Sequence, residues 1–291
     1  MYFLAGPLAF LIRPIYNLTE NYGITLIIAT IIIKLLTIPL TIKSQKNMAK
    51  TQLIQPEMNK LQAKYKNDKD KLSIEMQKLY KEYDVNPMGG CLPLLIQMFI
   101  LFGFIGVIYH PFEHILGLSG EEIKNLAVKL GMPDKTNEMY LWGAKGINEA
   151  LNEIKAGLTN INFNFFGINL TKAPNTAPKE WTVWVFPALA TASTVLSSYI
   201  TKKQQPKTAA NQNSDVPNTG DTMLKIMPFM TAFFTYSMPI GMSLYWTVST
   251  VVQLIQQSIM NKFVNEEMKS QIEEKQEEIR EKKEKRHHKK H

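Results

Sequence analysis

Lys34 stands in the middle of the apolar stretch ATIIIKLLTIPL, residues 29–40. The apolar run extends from Tyr22 to Ile42. As a helix it is roughly 30 Å long, the thickness of a bilayer's hydrocarbon core. A charge near the centre of such a helix costs about 2.5–3.5 kcal/mol on insertion scales. That cost is tolerable where the charge faces water, a partner or a polar cavity. Thr30, Thr37 and Thr41, at offsets of −4, +3 and +7, share one helical face with the lysine.

Other residues with chemical potential lead less far. His110, Glu113 and His114 in HPFEH offer a histidine pair at i and i+4, with no third metal ligand apparent. GLSG at 117–120 is not a nucleophile elbow, because its second glycine comes one residue early. Cys91 is the chain's one cysteine, so internal disulfides and cysteine-based metal sites are excluded. The residues call for no cofactor and no enzymatic reaction.

These side chains have to be carried by membrane-spanning elements. The chain has 291 residues, a net charge of +8 and 45% hydrophobic content. Its mean hydropathy is near zero. The average conceals a segregation of apolar blocks from charges. Spans are predicted at 22–42, 90–109, 181–201, 223–238 and 239–260, the last two joined by SMPIGMS, where Pro239 and Gly241 supply a tight turn. The predicted fold is all-α and polytopic, with five transmembrane helices.

Each span carries polar residues: Gln97 in the second, Thr191, Thr194 and Ser198 in the third, Thr231 and Thr235 in the fourth. The fifth has Ser243, Trp246, Ser249, Thr250, Gln253 and Gln257. Such stripes can hydrogen-bond helix to helix. Five of them with a lysine among them point to a shared wet cavity. No Asp or Glu lies in any span, which argues against a proton relay, a metal site and a simple ion pair for Lys34. Met223, Met227, Met230, Met238 and Met242 suit either a pliable greasy surface or ordinary packing.

Lysines fix the orientation. They crowd 43–88, follow the third span at 202, 203 and 207, and end the chain in REKKEKRHHKKH. With five spans and the N-terminus outside, all three regions are cytoplasmic. The loop 110–180 is then extracellular, with a helix-like stretch at 137–157 and the aromatic INFNFFGINL set for the outer membrane face. Residues 1–21 resemble a helix on the membrane surface rather than an intact signal peptide. In 43–88, Ile54, Met58, Leu61 and Tyr65 repeat the spacing of Leu72, Met76, Leu79 and Tyr83 across the break KNDKD. This predicts an antiparallel helical hairpin, its first helix started or kinked at Pro56. Residues 203–220 read as a flexible loop. The tail 262–291 begins as a mixed charged helix and ends basic, which suits ribosomal RNA, anionic lipid heads or no specific partner.

PLTIKSQKNMAKTQLIQPEMNKLQAKYKND, NPMGGCLPLLIQM and MPFMTAFFTYSMPIGMSLYWTVSTVVQLIQQ resemble the YidC/Oxa/Alb family of membrane protein insertases over about 22–262, and most nearly its bacterial, Gram-positive kind. The resemblance implies a hydrophilic groove open to the cytoplasm and lipid and closed outside. Lys34 occupies the position where the family usually has arginine. Gln97 and Trp246 line the same groove, with Thr30, Thr37, Ser243 and Thr250 beside them. Lysine lacks arginine's bidentate fork and can lose its proton when dehydrated. The implied partners are nascent integral membrane proteins and lipids, with the ribosome, the Sec translocon and signal recognition components as further candidates. Ile54, Leu61, Tyr65, Leu72 and Met76 are the expected contact surface of the hairpin. Gram-positive members carry a lipidated cysteine that is missing near this N-terminus, so either the lineage lacks the anchor or the chain begins differently. A small-solute transporter would show an internal repeat and charged coupling residues, and neither is visible. A non-conducting assembly scaffold would tolerate neutral Lys34.

Overall fold

A computed structural model of the chain describes residues 5–86, 92–132, 138–204 and 219–288. The helices are α1 Ala5–Thr19, α2 Tyr22–Leu36, α3 Ile38–Leu53, α4 Gln55–Lys64, α5 Lys69–Glu82, α6 Leu92–Tyr109, α7 Gly120–Lys129, α8 Glu138–Leu141, α9 Ile147–Ile154, α10 Val185–Gln204, α11 Thr219–Ser237 and α12 Ile240–His288. Strands β1 Asn164–Phe165 and β2 Ile168–Asn169 form one antiparallel hairpin. Two compact bodies result. One comprises Met1–Leu36, Ile96–Ser197 and Ile226–Val252; the other comprises Thr37–Leu95, Ser198–Lys225 and Gln253–His291.

In the first body, Tyr22, Leu26, Ala29 and Ile33 of α2 recur at helical spacing and bury against Ile12 and Tyr16 of α1, Phe104 and Val107 of α6, and Leu244 and Tyr245 of α12. The Asn21 side chain caps α2, accepting from the Ile24 N–H at 3.1 Å. Polar residues share this interior, and many apolar ones lie outside it. Thr25, Thr30 and Lys34 are buried, whereas Ile24, Ile28, Ile31 and Leu35 face outward. Phe99 of α6, Leu196 of α10 and Phe229 of α11 are exposed as well. Water would penalise so much exposed apolar surface, and lipid does not. The fold is that of an all-α membrane protein.

The predicted span 22–42 does not form as one helix. It breaks at Thr37, because Pro39 lacks the N–H that would continue the α2 ladder and sits instead in the first turn of α3. Among the described residues, only Trp181–Lys203 is long and apolar enough to cross a membrane as one element. Tyr22–Leu36 and Ile38–Leu53 qualify together as a bent pair, and Leu95–Tyr109 is a shorter apolar helix. The turn at Pro239 forms as predicted: α11 ends at Ser237 and α12 starts at Ile240. The first N–H groups of α12 find acceptors outside the helix, Ile240 on the Lys172 carbonyl at 2.8 Å and Gly241 on the Leu170 carbonyl at 2.9 Å.

The loop after α6 is a folded unit. Phe112, Leu118, Leu126, Leu141, Ile147 and Leu151 make a second apolar cluster. Ser119 and Glu122 form a capping box that starts α7. Glu138 is the third polar partner that HPFEH seemed to lack: its carboxylate and the side chains of His110 and Glu113 bring ligand atoms within 4.8 Å of one another. The carboxylate is already engaged. Oε1 meets His110 Nδ1 at 3.0 Å, while Oε2 accepts from the N–H groups of Phe112 at 2.8 Å and Glu113 at 3.2 Å. Glu138 therefore caps the single wide turn Phe112–Leu116. The predicted helix 137–157 is two helices, α8 and α9, separated at Gly143–Gly146. In INFNFFGINL, Phe166 and Gly167 both take positive φ, as a two-residue turn between twisted strands requires, and the Phe166 ring points outward.

The second body holds the expected hairpin. Asp68 caps α5 by accepting from the Lys71 N–H, and Pro56 sits in the first turn of α4. Ile54, Met58, Leu79, Tyr83 and Val85 pack with Ile272 and Ile279 of α12. The Tyr83 hydroxyl donates to Glu57 at 2.6 Å, and burial followed by that carboxylate pushes the phenol pKa up. The tail is no separate element: α12 runs unbroken to His288.

Two outcomes follow. A β-carbon on Gly23 would lie 2.5 Å from the Phe165 ring. Gly23→Ala is expected to lower stability by about 1–3 kcal/mol in detergent melts, with partial recovery on adding Phe165→Ala. His110, just past the end of α6, has its pKa raised, chiefly by the Glu138 hydrogen bond. Glu113 adds to this attraction, and burial opposes it. The pair therefore stabilises the loop fully below about pH 6.5, and the effect is lost as pH rises through the raised value. Trp142 fluorescence melts should show this decline, and Glu138→Gln should flatten it.

Candidate functional site

Lys34 lies in the last turn of α2, which ends at Leu36 just before the break at Thr37. The negative end of a helix dipole favours a cation there. Its side chain is buried within the protein, and its ammonium donates to Gln97 Oε1 at 2.9 Å. Gln97 Nε2 in turn donates to the Tyr245 hydroxyl at 2.8 Å and, more weakly, to Ser249 Oγ at 3.4 Å. One amide thus joins α2, α6 and α12. The Tyr245 ring is held in place by Phe104, with centroids 4.3 Å apart.

The remaining groove residues divide. Thr30, one turn before Lys34, donates to the Leu26 carbonyl of its own helix at 2.6 Å. Ser243 is fully buried, and its hydroxyl finds no partner among the described residues. Trp246 is half-buried and stacks on Phe234, with centroids 6.5 Å apart. Thr250 is half-buried on the same helix. Thr37 stands at the helix break, where its carbonyl accepts from the Thr41 hydroxyl at 2.9 Å, and it belongs to the second body.

The threonines of α10 and α11 answer to local geometry. Thr191, Thr194, Thr231 and Thr235 all donate to carbonyls one turn back in their own helices. Their stripes are satisfied by packing. Tyr245 is the participant that the sequence analysis missed. Its signal was the i, i+4 relation to Ser249, which was already in the polar stripe. On the hairpin, Ile54 is buried and Leu61 and Met76 pack against the same cluster, while Tyr65 and Leu72 are half-buried. Of NPMGGCLPLLIQM, residues 87–91 lie outside the described residues.

A lysine–glutamine–tyrosine chain inside an apolar bundle links three helices through one amide. It can hold a positive charge where lipid would refuse one. The sequence profile of the 60Kd inner membrane protein family matches residues 14–271. The chain belongs to this family. It is 30% identical over 250 residues to a protein of Fusobacterium nucleatum subsp. nucleatum named membrane protein insertase YidC, covering 86% of this chain and 91% of the relative. Proteins with the same name from Treponema denticola and Syntrophobacter fumaroxidans are 32% and 29% identical, over 87% and 89% of this chain. The chain spans 36% and 38% of the length of those two relatives. Membership in the 60Kd family and the apolar helices make this a bacterial membrane protein.

The polar chain gives an ordered set of expectations for this 60Kd-family protein. Gln97→Leu removes an acceptor 2.9 Å from the buried ammonium and should cost about 1.5–3 kcal/mol, whereas Tyr245→Phe should cost about 0.5–1.5. Adding Lys34→Met to Gln97→Leu should recover stability, because an apolar pair leaves nothing unsatisfied. Thermal unfolding in detergent, read as a double-mutant cycle, measures all three.

Proposed function

We propose that this protein is a membrane protein insertase and chaperone, which inserts integral membrane proteins and helps them fold. The observation that carries the reading is the buried Lys34 ammonium on Gln97 within a lipid-facing bundle, in a chain whose relatives bear the insertase name. A client's hydrophilic, acidic N-terminal tail enters a cytoplasm-open groove and is attracted by Lys34. Its apolar segment meets lipid along the open side. The tail then has only a thinned polar barrier to cross, and the hydrophobic effect and membrane potential complete the transfer. Gln97, Ser243, Trp246 and Thr250 line the path, with Thr30 and Thr37 on the Lys34 helix and at its end. The buried, unpartnered hydroxyl of Ser243 supports a polar lining at that point.

In this reading five spans place the N-terminus and the 111–180 loop outside, and the hairpin 43–88 and the tail in the cytoplasm. The α1 helix lies at the outer surface. The hairpin receives clients or targeting components, and the basic end of the tail meets the ribosome. The ten lysines of 43–88 and the ten lysines and arginines of 262–291 support their cytoplasmic placement.

Liposomes containing the purified protein test the proposal. A single-span client with an acidic N-terminal tail is assayed by protease protection, with wild type, Lys34→Arg and Lys34→Ala compared. Insertion by wild type and Lys34→Arg, with at least about tenfold loss in Lys34→Ala, is the expected result. Equal insertion by Lys34→Ala would remove the charge from the mechanism. No insertion by any variant, under conditions where a known insertase works, would favour a scaffold.

A further inference from the structure

Beyond Phe263 the described part of α12 is strongly charged, yet its apolar residues are not scattered. Val264, Met268, Ile272 and Ile279 are spaced by 4, 4 and 7, which puts them along one helical stripe. All four are buried, at 6, 2, 4 and 8% exposure. A lone charged helix in water would leave them exposed. Val264 and Met268 pack with Ala49 of α3, and Ile272 and Ile279 pack with Ile54, Met58, Leu79, Tyr83 and Val85 of the hairpin.

Charge complements the fit. Residues 264–279 hold six glutamates (266, 267, 273, 274, 277 and 278) and two lysines (269 and 275). The hairpin region is rich in lysine. Lys46 and Glu267 pair at 2.8 Å. Where Glu273 and Glu277 face the hairpin, the cleft wall mixes Lys60, Lys64 and Lys78 with Glu57, Glu75 and Glu82, and Lys78 is held by Glu75, so the charge match rests chiefly on the Lys46–Glu267 pair. An exposed pair contributes little stability, but it helps to fix the register in which the helix docks.

We infer that this hairpin face is a docking site for acidic amphipathic helices, and that residues 264–279 of the same chain are its resident occupant. The tail is an intramolecular cover. While it is docked, the apolar face that includes Ile54 is closed to any other helix, and a competitor binds only in proportion to the fraction of molecules with the tail released. The inference builds on the reading of the hairpin as a contact surface, but it concerns docking alone and does not depend on insertion.

The test uses the full-length protein in lipid nanodiscs and a fluorescein-labelled synthetic peptide of residues 262–282, with binding followed by anisotropy. Ile272→Asp with Ile279→Asp should undock the tail and raise peptide affinity by about tenfold or more over wild type. Adding Met58→Asp should abolish that gain. Equal affinity in wild type and the tail variant, or no binding to the tail variant, would overturn the cover. A second measurement leaves the apolar face intact. In a Cys91→Ser background, Lys46→Cys with Glu267→Cys should cross-link through a short bis-maleimide, read by mass spectrometry of the tryptic peptides, and excess peptide should slow the reaction. Absence of the cross-link would overturn docking itself. Neither experiment inserts a client, so failure of the insertase assay would leave both results intact.

Discussion

A buried ammonium in an apolar bundle must keep an acceptor, and that constraint organises the first body. Gln97 meets it with one amide that accepts from Lys34 and donates to Tyr245 and Ser249. A carboxylate would have answered the charge but bound it in an ion pair. A hydroxyl would have offered less reach between helices. The amide leaves a net positive charge inside the protein, with Lys34, Gln97 and Tyr245 each hydrogen-bonded. The helix break at Thr37 contributes to the same end, because it brings a helix C-terminus to the lysine. The bend that spoils a straight span thus helps the charge to exist.

The two bodies obey opposite solvent rules. In the first, threonines and the lysine are inside with an apolar core, and further isoleucines, leucines and phenylalanines such as Ile28, Leu35 and Phe99 cover the outside. In the second, isoleucine, methionine and tyrosine are inside, among lysines and glutamates. α12 serves both. Up to Ile259 it presents apolar residues outward, and beyond Phe263 it buries the few it has. One helix can do this because its buried face is set residue by residue by what it packs on, not by its average composition.

Legibility in the sequence follows from contrast. Lys34 and Gln97 stood out because each is polar in an apolar run. Tyr245 did not, because an aromatic in such a run reads as packing until its hydroxyl is seen to have a partner. The hairpin was visible from its repeated spacing and the polar break at 66–70. The span break at Thr37 had a signal in Pro39, which was outweighed by the length of the apolar run. Glu138 was hidden by its distance along the chain from His110. The docked tail was hidden by its charges: four apolar residues carry the contact, and composition recorded only the glutamates and lysines around them. Threonine stripes on α10 and α11 misled in the other direction, since each hydroxyl bonds back to its own helix and asks nothing of a cavity.

The corner between α11 and α12 ties the start of the last helix to an earlier part of the chain. The leading N–H groups of α12, those of Ile240 and Gly241, donate to the carbonyls of Lys172 and Leu170. Those carbonyls belong to a loop synthesised well before α12 emerges. The last helix thus starts on a scaffold that lies earlier in the chain, and a misplaced loop would leave its first two N–H groups without these acceptors.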